Sequence, residues 1–242
     1  RAFKALPGEN EFIGSKGKEV WMFDKFGKSE HKFDAEIDLI YRIAIDNNRK
    51  YILLGSIGAG HLELRSFEGA LIAGPWRAHS GMVKELTFTS WPNDIVSGGT
   101  IGGADLQSLS YWGRDGSRKS TRDGHTTIVT SMYFDDETNI LFTGGSDNVV
   151  RMWNSELTKI GPDIFISDDF ISGISLLKEK NIIIVSSGSK IKWMDISANT
   201  LIDTACKRVL SRWSGMGVSF SGLETSTRTA CSEDFMKANR RE

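Results

Sequence analysis

A hydroxyl, an imidazole and a carboxylate lie close together in the middle of the chain, as Thr143, His125 and Asp147. These are the groups that a serine-type hydrolase combines, with the hydroxyl as the nucleophile and the imidazole as its base. Such a site also needs the nucleophile exposed beside hydrogen-bond donors that stabilise an oxyanion. Together with the indole of Trp153, the same groups can instead satisfy one another inside a folded domain. The elements around them distinguish these two possibilities.

The segment that holds three of these residues, ILFTGGSDNVVRMWN (140–154), recurs in outline along the chain. Each copy has a buried apolar strand, a turn rich in Gly or Ser, and a further strand. An alternating strand such as VKELTFTS (83–90) precedes these two strands, and a more polar strand follows them. A four-stranded unit with a period of about 40–45 residues is typical of a β-propeller blade. The ends of the third strands lie 41 to 47 residues apart, at Phe23, Arg65, Trp112, Trp153 and Met194.

Composition supports an all-β fold and narrows the choice of partners. The 242 residues include 25 Gly, 4 Pro, 7 Trp and 13 Phe, which favours many short strands joined by tight turns. The net charge is −1, so the chain has no electrostatic footprint for nucleic acid or an anionic membrane. No apolar run approaches the roughly 20 residues that cross a bilayer. We therefore expect neither nucleic acid nor a membrane as a partner.

The unit 123–161, which opens with Gly124-His125, resembles a WD40 repeat, with Asn154 where the family usually carries Asp. In that family a His, a Ser or Thr, an Asp and a Trp form a chain of hydrogen bonds that holds the blade together. The resemblance therefore implies structural rather than catalytic roles for these residues. They are His125, Thr143, Asp147 and Trp153 in this unit, and His79, Ser97 and Trp112 in the preceding one.

The sequence thus predicts an all-β, WD40-like β-propeller segment of about five four-stranded blades over 1–199, with the first blade truncated at its N-terminus. A family ring usually has seven blades, so about two further blades are expected before Arg1. The tail, 200–242, is predicted to contain one helix, because LIDTACKRVLSRW (201–213) has apolar residues four apart. The last sheet is then expected to lack its outer strand.

Other motifs offer little chemistry. Gly58-Ala59-Gly60-His61-Leu62-Glu63 begins like a dinucleotide fingerprint but lacks its third glycine and a following helix. No Gly-Lys-Ser/Thr loop occurs, and the four histidines lie at no metal-ligand spacing. Cys206 and Cys231 are too few for a disulfide scaffold, and we expect reduced thiols in a cytoplasmic protein. The sequence predicts no cofactor, no metal and no catalytic residue.

The stretch GGTIGGADLQSLS (98–110) lengthens the connection between the second and third strands of its unit. The resemblance implies that such turns, with the connections before the first strands, form the face that family members use for partners. Gly74-Pro75-Trp76-Arg77 and Ser167-Asp168-Asp169-Phe170 are predicted to be two of these connections. Two alternatives remain open. The lengthened connection is a surface loop without a binding role, and Trp76 packs on a neighbouring blade. The turns at 46–48 and 135–137 are placed on the opposite face, where polar residues suit solvent. The predicted partner-binding face comprises Trp76, Arg77, Asp105, Arg122, Asp168, Asp169 and Phe170.

These observations predict a non-catalytic recognition module whose partners are proteins, either other subunits or other domains of the same chain. In one version it is the sensor or autoinhibitory domain of a larger signalling protein. The tail favours this version, because it resembles the extension that ends WD40 regions of large bacterial signalling proteins. A plain assembly scaffold is a second version. A third is a substrate-docking module of a protease or caspase-like hydrolase on the same polypeptide.

Overall fold

The computed structural model describes residues 2–6, 11–46, 48, 50–91, 95–100, 108–126, 128–166 and 169–196. Over these residues the chain forms nineteen β-strands in five sheets and one helical turn, the 3-10 turn Lys178–Lys180. The predicted all-β class is confirmed. The predicted tail helix and the predicted domain boundary after residue 199 fall outside the described residues.

Each sheet is built from strands that follow one another in the chain, so neighbouring strands are joined as hairpins. Sheet 1 comprises β1 (Phe3–Ala5), β2 (Phe12–Lys16), β3 (Glu19–Phe23) and β4 (Ser29–Asp34). Sheet 2 comprises β5 (Ile40–Ile45), β6 (Tyr51–Ser56), β7 (His61–Ser66) and β8 (Leu71–Arg77). Sheet 3 comprises β9 (Val83–Phe88), β10 (Ile95–Gly99), β11 (Leu109–Trp112) and β12 (Arg118–Arg122).

Sheet 4 comprises β13 (Val129–Asp135), β14 (Ile140–Gly145), β15 (Val149–Trp153) and β16 (Lys159–Phe165). Sheet 5 has three strands among the described residues, namely β17 (Ile171–Leu177), β18 (Ile182–Ser187) and β19 (Lys190–Asp195). All five predicted ends of third strands lie in the third strand of a sheet. The predicted repeat of strands is therefore confirmed.

Burial changes from the second strand of a sheet to the fourth. The second strands are buried along most of their length, whereas the fourth strands are mostly exposed. A strand covered on both faces needs a nearly continuous apolar run, as Leu141 and Phe142 provide in β14. The exposed fourth strands mix polar residues with exposed apolar ones, such as Ile72 in β8 and Phe165 in β16.

Successive sheets pack against each other and share apolar cores. The first strands β5, β9 and β13 lie beside one another, so sheets 2, 3 and 4 follow in sequence. Leu53 and Leu64 of sheet 2 pack with Val83 and Ile95 of sheet 3. This side-by-side packing of hairpin sheets through their first strands is typical of propeller blades.

Two compact units make up the chain. The larger unit consists of Arg1–Ser175 and Val185–Lys192 and contains sheets 1 to 4. The smaller unit consists of Leu176–Ile184 and Trp193–Glu242, and its described residues include the 3-10 turn. His125, Thr143, Asp147, Trp153 and Phe170 all belong to the larger unit.

Candidate functional site

Four side chains of sheet 4 and the segment before it form a continuous chain of hydrogen bonds. The indole Nε1 of Trp153 donates to Thr143 Oγ1 over 2.8 Å, and the same oxygen lies 2.8 Å from His125 Nε2. His125 Nδ1 lies 2.6 Å from Asp147 Oδ1. An ionised carboxylate can only accept, so Nδ1 carries the proton and Nε2 accepts from the threonine hydroxyl.

The burial of these side chains determines whether they can act chemically. Thr143, His125 and Trp153 expose 0%, 1% and 4% of their surface. A polar group left unpaired at such depth costs about 1–3 kcal/mol, and the hydrogen-bonded chain gives each group a partner. A substrate carbonyl cannot approach a fully buried hydroxyl oxygen, as acyl transfer requires. The geometry suits stabilisation of a fold.

Arg151 extends the chain of hydrogen bonds to the outer strand of the sheet. Its Nη1 donates to Asp147 Oδ2 over 2.7 Å and to the carbonyl of Gly124 over 2.9 Å. Its Nη2 donates to Asp163 Oδ2 on β16 over 2.7 Å. Burial raises the pKa of the Asp147 carboxyl, but hydrogen bonds from His125 and Arg151 outweigh it and hold that pKa well below its usual range.

The glycine pair after Thr143 permits two close approaches. A Cβ on Gly144 would lie 2.3 Å from the Ile171 side chain, in the first strand of the next sheet. A Cβ on Gly145 would lie 2.3 Å from the ring of His125. Real Cβ atoms do not come so close to other heavy atoms, so both positions need glycine. The missing side chain at Gly144 lets the next sheet pack closely, and the missing side chain at Gly145 leaves room for the imidazole of His125.

Sheet 3 repeats this arrangement with a serine as the central hydroxyl. His79 Nε2 lies 2.9 Å from Ser97 Oγ, which accepts from the indole Nε1 of Trp112 over 2.9 Å. His79 and Ser97 are both fully buried. A Cβ on Gly99 would lie 2.6 Å from the His79 ring, which matches the contact at Gly145. The structure therefore brings together both sets of residues that the sequence singled out.

Sheet 2 has an ion pair where sheets 3 and 4 have a tryptophan. Arg65 donates from Nε to Glu63 Oε1 and from Nη1 to the carbonyl of Gly69, the latter over 2.8 Å. The other carboxylate oxygen accepts from the backbone N–H groups of Glu36 and Ile37, over 2.8 and 2.9 Å. Glu63 is 0% exposed. Sequence reasoning missed this pair, although an acid two residues before the strand-end arginine was a visible signal.

The predicted partner-binding face is only partly described by the structure. Arg77 ends β8, Arg122 ends β12, and Asp169 with Phe170 precedes β17. All four are exposed, and Phe170 exposes 49% of its surface. In an antiparallel sheet the fourth strand ends on the side where the first begins, so these residues lie at corresponding ends of their sheets. Asp105 and Asp168 fall outside the described residues.

The placement of Trp76 in a connection before a first strand is wrong. Trp76 lies within β8, and its indole packs against Trp112 of the next sheet, with ring centroids 6.0 Å apart. The Gly74-Pro75 pair suggested a turn, but proline is tolerated in an edge strand, where β8 lies. Trp76 is half-buried and its role is packing between sheets 2 and 3, the alternative that the sequence left open.

The opposite ends of the sheets were predicted to carry solvated turns, and the structure agrees only in part. Asn48, Asp136 and Glu137 are exposed, whereas Asp46 and Asp135 are 5% and 1% exposed. A cavity of about 490 Å³ opens at this end. It is lined by the last residues of the first strands of sheets 1 to 4, by the turns after these strands in sheets 2 to 4, and by the turn between the third and fourth strands of sheet 3. Four separate turns converge there, which no single repeat in the sequence shows.

The repeated sheets and the hydrogen-bonded His, hydroxyl and Trp sets define a class, the β-propellers built from hairpin blades. Residues 116–154 match the family model of the WD domain, G-beta repeat. This match runs from the fourth strand of sheet 3 to the third strand of sheet 4 and ends at Asn154. With the antiparallel sheets around it, the match fits a WD40 β-propeller, as the sequence predicted. A search of curated proteins found no match.

Two properties of the described part of the chain concern metal ions and membranes. No group of three His, Cys, Asp or Glu side chains there is arranged to hold a metal ion. No helix among these residues is long and apolar enough to cross a membrane. Cys206 and Cys231 fall outside the described residues, so their redox state stays a prediction.

Proposed function

We propose that this chain is a non-catalytic recognition module that binds protein partners through loops at the ends of its sheets. WD40 repeats generally mediate protein–protein interaction and are typically non-catalytic. The observation that carries the proposal is the burial of Thr143 and His125, the groups best suited to chemistry, in bonds that hold the sheet. Recognition then falls to exposed residues on rigid strand ends.

The binding face that we propose joins the ends of sheets 2, 3 and 5. Its described residues are the exposed cations Arg77 and Arg122 and the exposed ring of Phe170 with the carboxylate of Asp169. An aromatic side chain with arginines on rigid elements is the composition that interface hot spots favour. Asp105 and Asp168 remain proposed members of this face.

Within this function, a sensor or autoinhibitory domain of a larger signalling protein is the version that we favour. Its support is the resemblance of the tail, 200–242, to the extensions of bacterial signalling proteins. An assembly scaffold and a docking module of a protease or caspase-like hydrolase are the alternatives. Sequencing the gene upstream of Arg1 separates the three, through a nucleotide-binding loop, further blades alone, or a catalytic Cys/His or Ser/His/Asp set.

A triple variant, Arg77→Ala with Arg122→Ala and Phe170→Ala, tests the proposed face. Loss of the anchors should lower capture of a specific partner at least about tenfold, since anchor residues contribute about 1–2 kcal/mol or more each. Capture is quantified by mass spectrometry on the immobilised 242-residue chain. Lys28→Ala, in the turn before β4, is the matched control and should capture the partner as wild type does. Equal capture by the triple variant and wild type would place the interface elsewhere.

A further inference from the structure

The cavity at the other end of the sheets is formed by the last residues of successive first strands. Ala5, Ile45, Phe88 and Phe134 lie at or next to the ends of the first strands of sheets 1 to 4. All four line the cavity. The two phenylalanines give it aromatic lining on sheets 3 and 4.

The preceding residues of the first strands extend this lining. Lys4, Ala44 and Thr87, one residue earlier in the first strands of sheets 1 to 3, also line the cavity. Their side chains are a cation, a methyl group and a hydroxyl. The volume of about 490 Å³ falls within the range of about 300–1,000 Å³ that ligand pockets occupy.

A guanidinium is held in a fixed position at this cavity. Arg114, in the turn between β11 and β12, lies over the ring of Tyr51 at 4.3 Å and over that of Phe88 at 5.7 Å. Its Nη2 is 4.0 Å from Asp46 Oδ2. The side chain still exposes 35% of its surface. An arginine positioned in advance by aromatic rings loses little entropy when it binds a carboxylate through its planar fork.

The charges of the wall are unevenly distributed. The carboxylate of Asp46 is turned into its own loop, where Oδ1 accepts from the backbone N–H groups of Lys50 and Tyr51 over 2.6 and 3.1 Å. Lys4 and Arg114 belong to sheets 1 and 3, whereas the other carboxylate of the lining, Asp136, belongs to the turn after β13 of sheet 4. A bound carboxylate is therefore favoured on the side of sheets 1 to 3 and repelled on the side of sheet 4.

We infer that this cavity is a second recognition site, which binds an extended peptide segment carrying an acidic residue next to an aromatic one. The carboxylate pairs with Arg114 and Lys4, and the aromatic ring packs on Phe88 and Phe134. The hydroxyl of Thr87 donates to the carbonyl of Phe88 over 2.8 Å, and its oxygen can accept a hydrogen bond from a peptide N–H. The site is independent of the face that contains Phe170, because it lies at the opposite ends of the strands.

Two synthetic peptides test this site, acetyl-Gly-Glu-Phe-Gly-amide and its counterpart with Gln in place of Glu. Each is titrated into the 15N-labelled 242-residue chain at low salt and followed by NMR. The Glu peptide should bind at least about tenfold more tightly than the Gln peptide, because a charge-assisted bidentate pair is lost in the latter. The shifted resonances should include Thr87 and Phe88. Equal binding of the two peptides, or no saturable shift with the Glu peptide, would overturn the inference.

Variants of the chain separate this site from the proposed face. Arg114→Gln should remove the preference for the Glu peptide, and Thr87→Phe should abolish binding of both peptides by filling the cavity. Lys119→Gln, on the exposed β12 of the same sheet, and the Arg77, Arg122 and Phe170 triple variant should bind as wild type does. Thermal melting confirms that each variant is folded. A folded Arg114→Gln chain that keeps the preference would contradict the role given to the cavity.

Discussion

Thr143 Oγ1 joins the two halves of the hydrogen-bonded chain in sheet 4, because it accepts from Trp153 and donates to His125. The residue types in the sequence were enough to predict this set through its resemblance to WD40 repeats. Arg151 was not predicted, since its position in the inner strand β15 gives no sign that the long side chain reaches a buried carboxylate. At the scale of residues, the sequence therefore predicted the hydrogen-bonded chain, and only the structure shows that Arg151 binds its carboxylate.

Removal of the Thr143 hydroxyl tests whether its hydrogen bonds to Trp153 and His125 stabilise the fold. Thr143→Val keeps the shape of the side chain but leaves the Trp153 N–H and the His125 ring without their buried partner. We expect the free energy of unfolding to fall by about 1–3 kcal/mol. Thr143→Ser keeps the hydroxyl and should lose less. Urea titrations of the two variants and wild type give the comparison, and equal losses would show that packing rather than hydrogen bonding matters here.

The carboxyl of Asp147 predicts a dependence of stability on pH. Its pKa is lower in the folded chain than in the unfolded chain, where it is about 4, so its ionised form stabilises the fold above that pH. This contribution is lost as the pH falls towards the folded pKa. The difference in unfolding free energy between wild type and Asp147→Asn should therefore shrink from pH 5 to pH 2. A difference that stays constant in urea titrations over this range would argue against an ionised Asp147 in the network.

At the scale of elements, the alternating and apolar segments predicted the strands, and the Gly or Ser turns predicted where they reverse. The errors came from β8, where Gly74-Pro75 resembled a connection, and from Asp46 and Asp135, which are buried although the described residues after them in their turns are exposed. Local sequence cannot tell an edge strand that tolerates proline from a loop. Nor does it show which turns other sheets cover.

The first glycine of the pair in β14 is predicted to be essential to the packing of sheet 5 on sheet 4. Gly144→Ala places a methyl group against Ile171 Cγ2, in a core that cannot widen freely, and should destabilise by about 1–3 kcal/mol or more. Gly173→Ala is the matched control, because the nearest atom there is the movable hydroxyl of Ser186. Chemical denaturation measures both variants. A Gly144→Ala chain as stable as the control would show that the sheets can shift apart.

The ion pair of sheet 2 makes a contrasting prediction. Arg65→Met leaves the carboxylate of Glu63 buried without its cation, which should cost about 3–5 kcal/mol. Lys18→Met removes the cation of the exposed Lys18–Asp34 pair and should leave the denaturation midpoint nearly unchanged. Similar midpoints for the two variants would mean that the carboxylate of Glu63 is satisfied by the backbone alone.

At the scale of the whole molecule, repetition in the sequence predicted five units, and the sheets of the larger unit pack as successive propeller blades. The cavity at the ends of the first strands could not be predicted, because it is lined by residues from four different sheets. Its guanidinium comes from a turn of one sheet and its aromatic supports from two sheets. Such a site exists only after the units are packed.

We propose that the Thr, His and Asp set holds the fold while exposed loops perform recognition. Partner affinity and melting temperature are measured together for wild type, Thr143→Val and the Arg77, Arg122 and Phe170 triple variant. We expect Thr143→Val to melt lower but, while folded, to bind the captured partner with wild-type affinity. We expect the triple variant to melt as wild type does and to bind at least about tenfold more weakly. A folded Thr143→Val chain that loses the function of the protein at an unchanged melting temperature would contradict it.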